Sequence, residues 1–161
     1  MAAIYFYYKD DFVNMSMMLL ASGLFIYGYF KYGTVYAAFQ QMKKNDLKKA
    51  EALISKVKNP DRLSKEHKGF YYFTKGIISL DKQELDKSHH YLTQALENGL
   101  RTENNQSIVL LNLADIEFSN KNYNEAKEYI NKVKSFDLKP LIQAETIRLE
   151  GKIDKAMPSK N

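Results

Sequence analysis

Apolar residues follow two different rules along this chain. From Phe12 to Phe30 no residue is charged, and the run FVNMSMMLLASGLFIYGYF would be apolar on every side of a helix. Its nineteen residues, at the helical rise, reach across a hydrocarbon core of roughly 30 Å. Beyond residue 34 the apolar positions instead recur every three or four residues among charged ones, the signature of helices that bury one face. The pattern predicts an all-α chain: a membrane-crossing helix over 12–34, helix pairs over 35–137, a last amphipathic helix over 138–157 and a disordered tail at 158–161.

The first segment has the features of a transmembrane helix. Asn14, Ser16, Ser22, Gly23 and Gly28 are tolerable in a span, where each backbone group is satisfied within the helix. Tyr27, Tyr29, Tyr32 and Tyr36 cluster at one end, and Tyr5, Tyr7, Tyr8 and Phe12 at the other, as in interfacial aromatic belts. A cleaved signal peptide fits poorly, because Asp10 and Asp11 precede the run and bulky aromatics follow it. A buried core helix fits poorly too, since a helical domain of about 120 residues cannot cover such a segment on all sides. Lys31, Lys43, Lys44, Lys48 and Lys49 follow the span, against Lys9 alone before it. The positive-inside rule therefore predicts a cytoplasmic C-terminal domain, with a bacterial inner membrane as the expected setting. Residues 1–11, with AAIYFYY after Met1, read either as a short N-terminal segment or as the end of a preceding membrane helix.

The remainder repeats. NDLKKAEALISKV (45–57), QELDKSHHYLTQA (83–95) and KNYNEAKEYINKV (121–133) align without gaps at a spacing of 38 residues. Each carries a small residue (Ala50, Ser88, Ala126) between a bulky one three before it (Leu47, Leu85, Tyr123) and another four after it (Ile54, Leu92, Ile130). That is a helical stripe with a place for close crossing by a neighbouring helix. Upstream, YYFTKG supplies Tyr72 and Gly76, LLNLAD supplies Leu110, Leu113 and Ala114, and Ala38 holds the small position of the first copy. On these residues the chain resembles the tetratricopeptide repeat family over 35–137, as units 35–60, 64–99 and 103–137. It departs from the family in Lys75, which occupies an apolar slot, in Ser88, and in a period longer than the family's value of about 34.

The resemblance implies an α-α superhelix of about three helix pairs that binds a peptide or helix on a concave surface lined by the first helices. Transferred by position, that surface comprises Phe39, Met42 and Lys43 from the first copy. The second copy gives Phe70, Phe73, Ile77 and Leu80, and the third Ile108, Leu111, Asp115 and Phe118. Apolar and aromatic lining suits an amphipathic helix or an extended hydrophobic peptide. The Lys/Asn clamp with which some family members hold terminal carboxylates is not reproduced, because Phe39 and Ile77 stand where Asn is needed. Leu141, Ile142, Ile147, Leu149 and Ile153 are expected to let the last helix cap the third repeat.

Composition narrows the chemistry. The chain has 161 residues, enough for one domain and an anchor, and no Cys, which excludes disulfides, thiolate nucleophiles and thiolate zinc sites. Net charge is +5, but Lys and Glu are interspersed along the helices, so no nucleic acid partner is expected. No phosphate loop, zinc-protease helix or nucleophile elbow occurs. His89 and His90 are adjacent and point about 100° apart on a helix, unlike a metal-binding pair one turn apart. Asp115 and Glu117 diverge likewise and read as a solvated face, and His67 belongs to no metal-ligand motif. The expectation is therefore a non-enzymatic, membrane-anchored adaptor with protein partners, no cofactor, no metal and no small-molecule substrate. The alternative is an accessory or receptor subunit of a protein translocation, import or envelope assembly machinery.

Overall fold

The computed structural model describes residues 12–28 and 33–157. Among them the chain is all-helical, with eight α-helices, one 3-10 turn and no strand. In order these are α1 (Phe12–Gly28), α2 (Thr34–Lys43), α3 (Leu47–Ile54), the 3-10 turn Pro60–Arg62, α4 (Lys65–Asp81), α5 (Leu85–Glu97), α6 (Glu103–Ser119), α7 (Tyr123–Lys134) and α8 (Pro140–Ala156). Helices α2 and α3, α4 and α5, and α6 and α7 pack as pairs, and each pair packs on the next. The predicted segments 1–11 and 158–161, and 29–32 of the expected 12–34 helix, lie outside the described residues.

The repeat is written into the turns. Asn45, Gln83 and Lys121, 38 apart, adopt left-handed backbone with φ of +62°, +60° and +65°. Each donates its amide to a carbonyl three residues back, Met42, Leu80 and Phe118, at 2.9–3.0 Å. The next amide reaches back five, Asp46 to Gln41, Glu84 to Ser79 and Asn122 to Glu117, each at 2.9 Å. This is the Schellman closure, which satisfies the orphan carbonyls at a helix end. The residue that completes it is also the N-cap of the following helix, so one three-residue turn ends the first helix and starts the second. Asp46 caps with its side chain, accepting from the Lys49 amide at 3.1 Å. Ser64 and Thr102, 38 apart, cap α4 and α6 in the same way.

Small residues allow the pairs to close. Ala38, Ala50, Ser88, Ala114 and Ala126 are fully enclosed, and Gly76 is buried with them. A Cβ on Gly76 would stand 2.5 Å from Leu92 Cδ2, and the Ser88 hydroxyl donates to the Gly76 carbonyl at 3.0 Å. Two cores result, joined through α6. Val109, Leu113 and Ile116 face the core built by α2–α5, while Leu110, Leu111 and Ala114 face the core built with α7 and α8.

Two features differ from the sequence pattern. Helix α3 has only 8 residues and stops at Ile54, against 13 in α5 and 12 in α7; residues 55–63 form a loop around Pro60, which has no amide to give a longer helix. Helix α8 turns Ile142, Thr146, Leu149 and Ile153 inward, so Leu141 (82% exposed) and Ile147 (63%) do not cover the end of the stack as expected. Thr146 replaces them in the inward stripe by donating its hydroxyl to the Ile142 carbonyl at 2.7 Å. None of α1's 17 residues is buried.

Candidate binding groove

Successive first helices meet in a hollow of about 560 Å³. Tyr36 and Phe39 from α2 and Phe70 from α4 form its aromatic floor, with ring centroids 4.6 Å apart for Phe39–Phe70 and 6.4 Å for Tyr36–Phe70. These spacings fit tilted and edge-on ring contacts, which add to the plain burial of the rings. Phe39 and Phe70 are almost enclosed, and Tyr36 is 52% exposed. The rim is polar and mainly basic: Lys43 from α2, Arg101 before α6 and Lys139 before α8. Lys43 Nζ lies 5.6 Å from the Phe39 ring centre, and Arg101 is 3.6 Å from Glu66, the one acid of the rim.

A second hollow of about 270 Å³ opens between α6 and α8, lined by Ile108, Leu111 and Asp115 on one side and Leu141, Ile142 and Glu145 on the other. Its charged groups are mostly acidic. Hydrogen bonding from Arg148 holds the Glu145 carboxyl below the usual carboxylate range. The first-helix surface is therefore aromatic and basic nearer α1, and aliphatic and acidic nearer the C-terminal end.

The eleven predicted groove residues divide among these places. Phe39, Lys43 and Phe70 lie in the first hollow, and Ile108, Leu111 and Asp115 in the second. Ile77, Leu80 and Phe118 are half-buried against the cores. Phe73, at 1% exposure, and Met42, at 8%, are core residues, a correction to their expected place on the groove wall. The physical reason is register. Val35, Phe73 and Leu111 occupy one repeat position and all are buried, although Leu111 also borders the second hollow. The position of Phe39, Ile77 and Asp115 instead runs from enclosed to half-buried to exposed along the chain.

Elsewhere the polar groups are structural. Glu117 is buried rather than solvated as the sequence suggested. It accepts from Asn122 Nδ2 at 2.7 Å, and His89 Nε2 lies 2.9 Å from its other oxygen, tying α5 to α6. His67 Nδ1 lies 2.7 Å from the Ser64 hydroxyl. Lys75 is accommodated in its apolar slot by extending over the Tyr91 ring, 5.3 Å from its centre. Burial raises the hydroxyl pKa of Tyr71 and Tyr129. Among the described residues no group of three or more His, Asp or Glu is placed to hold a metal ion.

Sequence reasoning missed Arg101, Lys139, Leu141 and Glu145 as lining residues. Arg101 and Lys139 sit in loops between pairs, and nothing in their local sequence reveals that α2 and α4 approach them. No family model, curated protein or solved structure matches this chain.

Proposed function

We propose that this protein is a membrane-anchored adaptor, a short tetratricopeptide-like array held at a bilayer by its N-terminal helix. The observation that carries the reading is α1: Val13, Met17, Leu19, Leu20, Leu24, Phe25 and Ile26 are all more than half exposed, on every side of the helix. A helix that is apolar all round belongs in a large core or in lipid, and this domain offers no such core. The hydroxyls of Ser16 and Ser22 donate to the Val13 and Met18 carbonyls, each at 2.8 Å, the arrangement that lets Ser sit among lipid tails. Among the described residues no helix is long and apolar enough to cross a membrane. The uncharged run, however, continues past Gly28 to Phe30.

In this reading the partner lies along the first helices. Its apolar side chains enter the two hollows, with carboxylates toward Lys43, Arg101 and Lys139 and a cationic end toward Asp115 and Glu145. Such a surface suits an amphipathic peptide or helix. The test uses the full chain, solubilised from membranes in mild detergent, as bait. Tyr36→Asp and Leu141→Asp alter exposed groove positions, and Lys132→Asp on the outer side of α7 is the control. Proteins held by the unaltered chain and the control should be lost from both groove variants. Retention by both would show that the first-helix surface is not the binding site, and a chain that leaves membranes without detergent would remove the anchor.

A further inference from the structure

Between the end of α1 and the loop after α3 lies a third hollow, of about 220 Å³, with Lys56, Lys58 and Arg62 on its wall beside Tyr27, Thr34 and Asn59. All three cations are exposed, and among the described residues none of them is in an ion pair. The nearest acid in sequence, Asp61, is directed elsewhere, its carboxylate 3.8 Å from Lys68. Three cations gathered without a counter-charge repel one another, and an anion supplied from outside would relieve that repulsion. The early stop of α3 creates the arrangement. A second helix as long as α5 or α7 would carry residues 55–59 along its own axis, whereas the loop and its 3-10 turn bring Lys56, Lys58 and Arg62 together beside Tyr27.

We infer that this hollow binds the phosphate of an anionic phospholipid headgroup. The assignment rests on the anchored reading of α1. Tyr27 lies near the end of the uncharged run, where a ring sits at headgroup depth, and it walls the same hollow as the three cations. A lipid phosphate is therefore the anion presented at this height, and basic groups next to a span attract it. The consequence is that the stack is held against the membrane surface at its first pair as well as tethered by α1.

The test uses the full chain reconstituted in vesicles of phosphatidylcholine, or of equal parts phosphatidylcholine and phosphatidylglycerol, with trace spin-labelled lipid of either kind. Electron paramagnetic resonance then gives the fraction of each label immobilised by the protein. The unaltered chain should prefer the phosphatidylglycerol label by about fivefold or more, the worth of one well-placed cation, and raising the salt should weaken that preference. The variant Lys56→Gln/Lys58→Gln/Arg62→Gln should bind both labels equally. The variant Lys121→Gln/Lys152→Gln/Lys155→Gln, with the same charge removed from the far end of the stack, should keep the preference. No preference in the unaltered chain, its retention by the first variant, or equal loss in both variants overturns the site. Flotation with pure phosphatidylcholine vesicles reports the anchor separately. A chain that fails to float there overturns the anchor and this site together, whereas one that floats without lipid preference overturns the site alone.

Discussion

The left-handed turns allow the repeat to be tested residue by residue. At φ of +62°, +60° and +65°, Asn45, Gln83 and Lys121 crowd a Cβ against the following carbonyl, which costs about 1–2 kcal/mol for most side chains and less for Asn. Glycine removes that crowding but loses roughly 0.5–1 kcal/mol more backbone entropy on folding. The difference predicts that Gln83→Gly and Lys121→Gly each stabilise the chain by about 0.5–1 kcal/mol, and Asn45→Gly by no more than a few tenths. The turns lie in separate pairs, so the triple variant should gain about 1–2 kcal/mol by near-additivity. Alanine keeps the Cβ, so Lys121→Ala should change little. Gly99 gives the reverse case: it has φ of +83°, and nothing lies within 4 Å of an added Cβ. Gly99→Ala should therefore lose about 0.5–1 kcal/mol for purely conformational reasons. Urea unfolding of the full chain in neutral detergent, followed by helical circular dichroism, reads these changes as midpoint shifts at constant slope. Lower midpoints for the Gln83→Gly and Lys121→Gly variants, or an equal gain with alanine, would refute the reasoning.

Three further outcomes follow from the packing. Gly69→Ala would put a Cβ 2.8 Å from the Gly99 carbonyl oxygen, and Gly76→Ala one 2.5 Å from the enclosed Leu92; each should lose about 1–3 kcal/mol to overpacking, partly offset by helix propensity, and thermal unfolding midpoints at or above the parent's would contradict this. Glu117→Ala leaves His89 and Asn122 without their shared acceptor and should cost about 1–3 kcal/mol, with Glu117→Gln losing less, as read from urea midpoints; an unchanged Glu117→Ala midpoint would show that the network carries no stability. Hydrogen bonds from the Lys49 side chain and amide hold the Asp46 carboxyl below its ordinary 3.8. The contribution of this depressed group is present above the unfolded value and is lost as pH falls through the lower folded one. Asp46→Asn keeps a capping oxygen and should flatten that acid limb of the stability curve; an identical limb in the variant rules the contribution out.

How much of this was legible in the sequence depends on what a residue's neighbours in the chain can say. Helix boundaries such as those at Ser64, Thr102, Asp46 and Gly99 lie within reach of local sequence, because caps and left-handed stops act within three residues. The 38-residue spacing was readable because each pair repeats the same local problem, a tight turn and a close crossing. The choice of groove residues was less legible. Helix α6 buries Val109, Leu110, Leu111, Leu113, Ala114 and Ile116 toward two different cores, so its apolar positions form no single stripe from which one face could be picked. Phe73 was placed on the groove by transfer of its position in the first helix, yet it and its equivalents Val35 and Leu111 are all buried. Glu117 looked solvated because its histidine partner lies one pair earlier, a contact that arises only once the pairs stack, while its asparagine partner lies across the turn into α7.

Stacking also bears on how an anchored array would work. Val35, Ala38, Phe39 and Met42 tie α2 into the core shared with α4, so the packed part of the stack begins at α2. Residues 29–32 separate α1 from that part, and even at full extension they allow a gap of only about 17 Å. On the anchored reading the aromatic hollow at Tyr36, Phe39 and Phe70 then stays close to the bilayer. A partner confined to the same membrane meets it at high effective concentration, so weak contacts suffice for stable engagement. The lining fits that regime: Phe39 and Phe70 are almost enclosed, Tyr36 alone of the three rings is widely exposed, and the rim charges face solvent, where each is worth little. An affinity measured with α1 removed would therefore understate the interaction, and the same peptide presented on a vesicle should bind the anchored chain far more tightly than it binds that chain from solution.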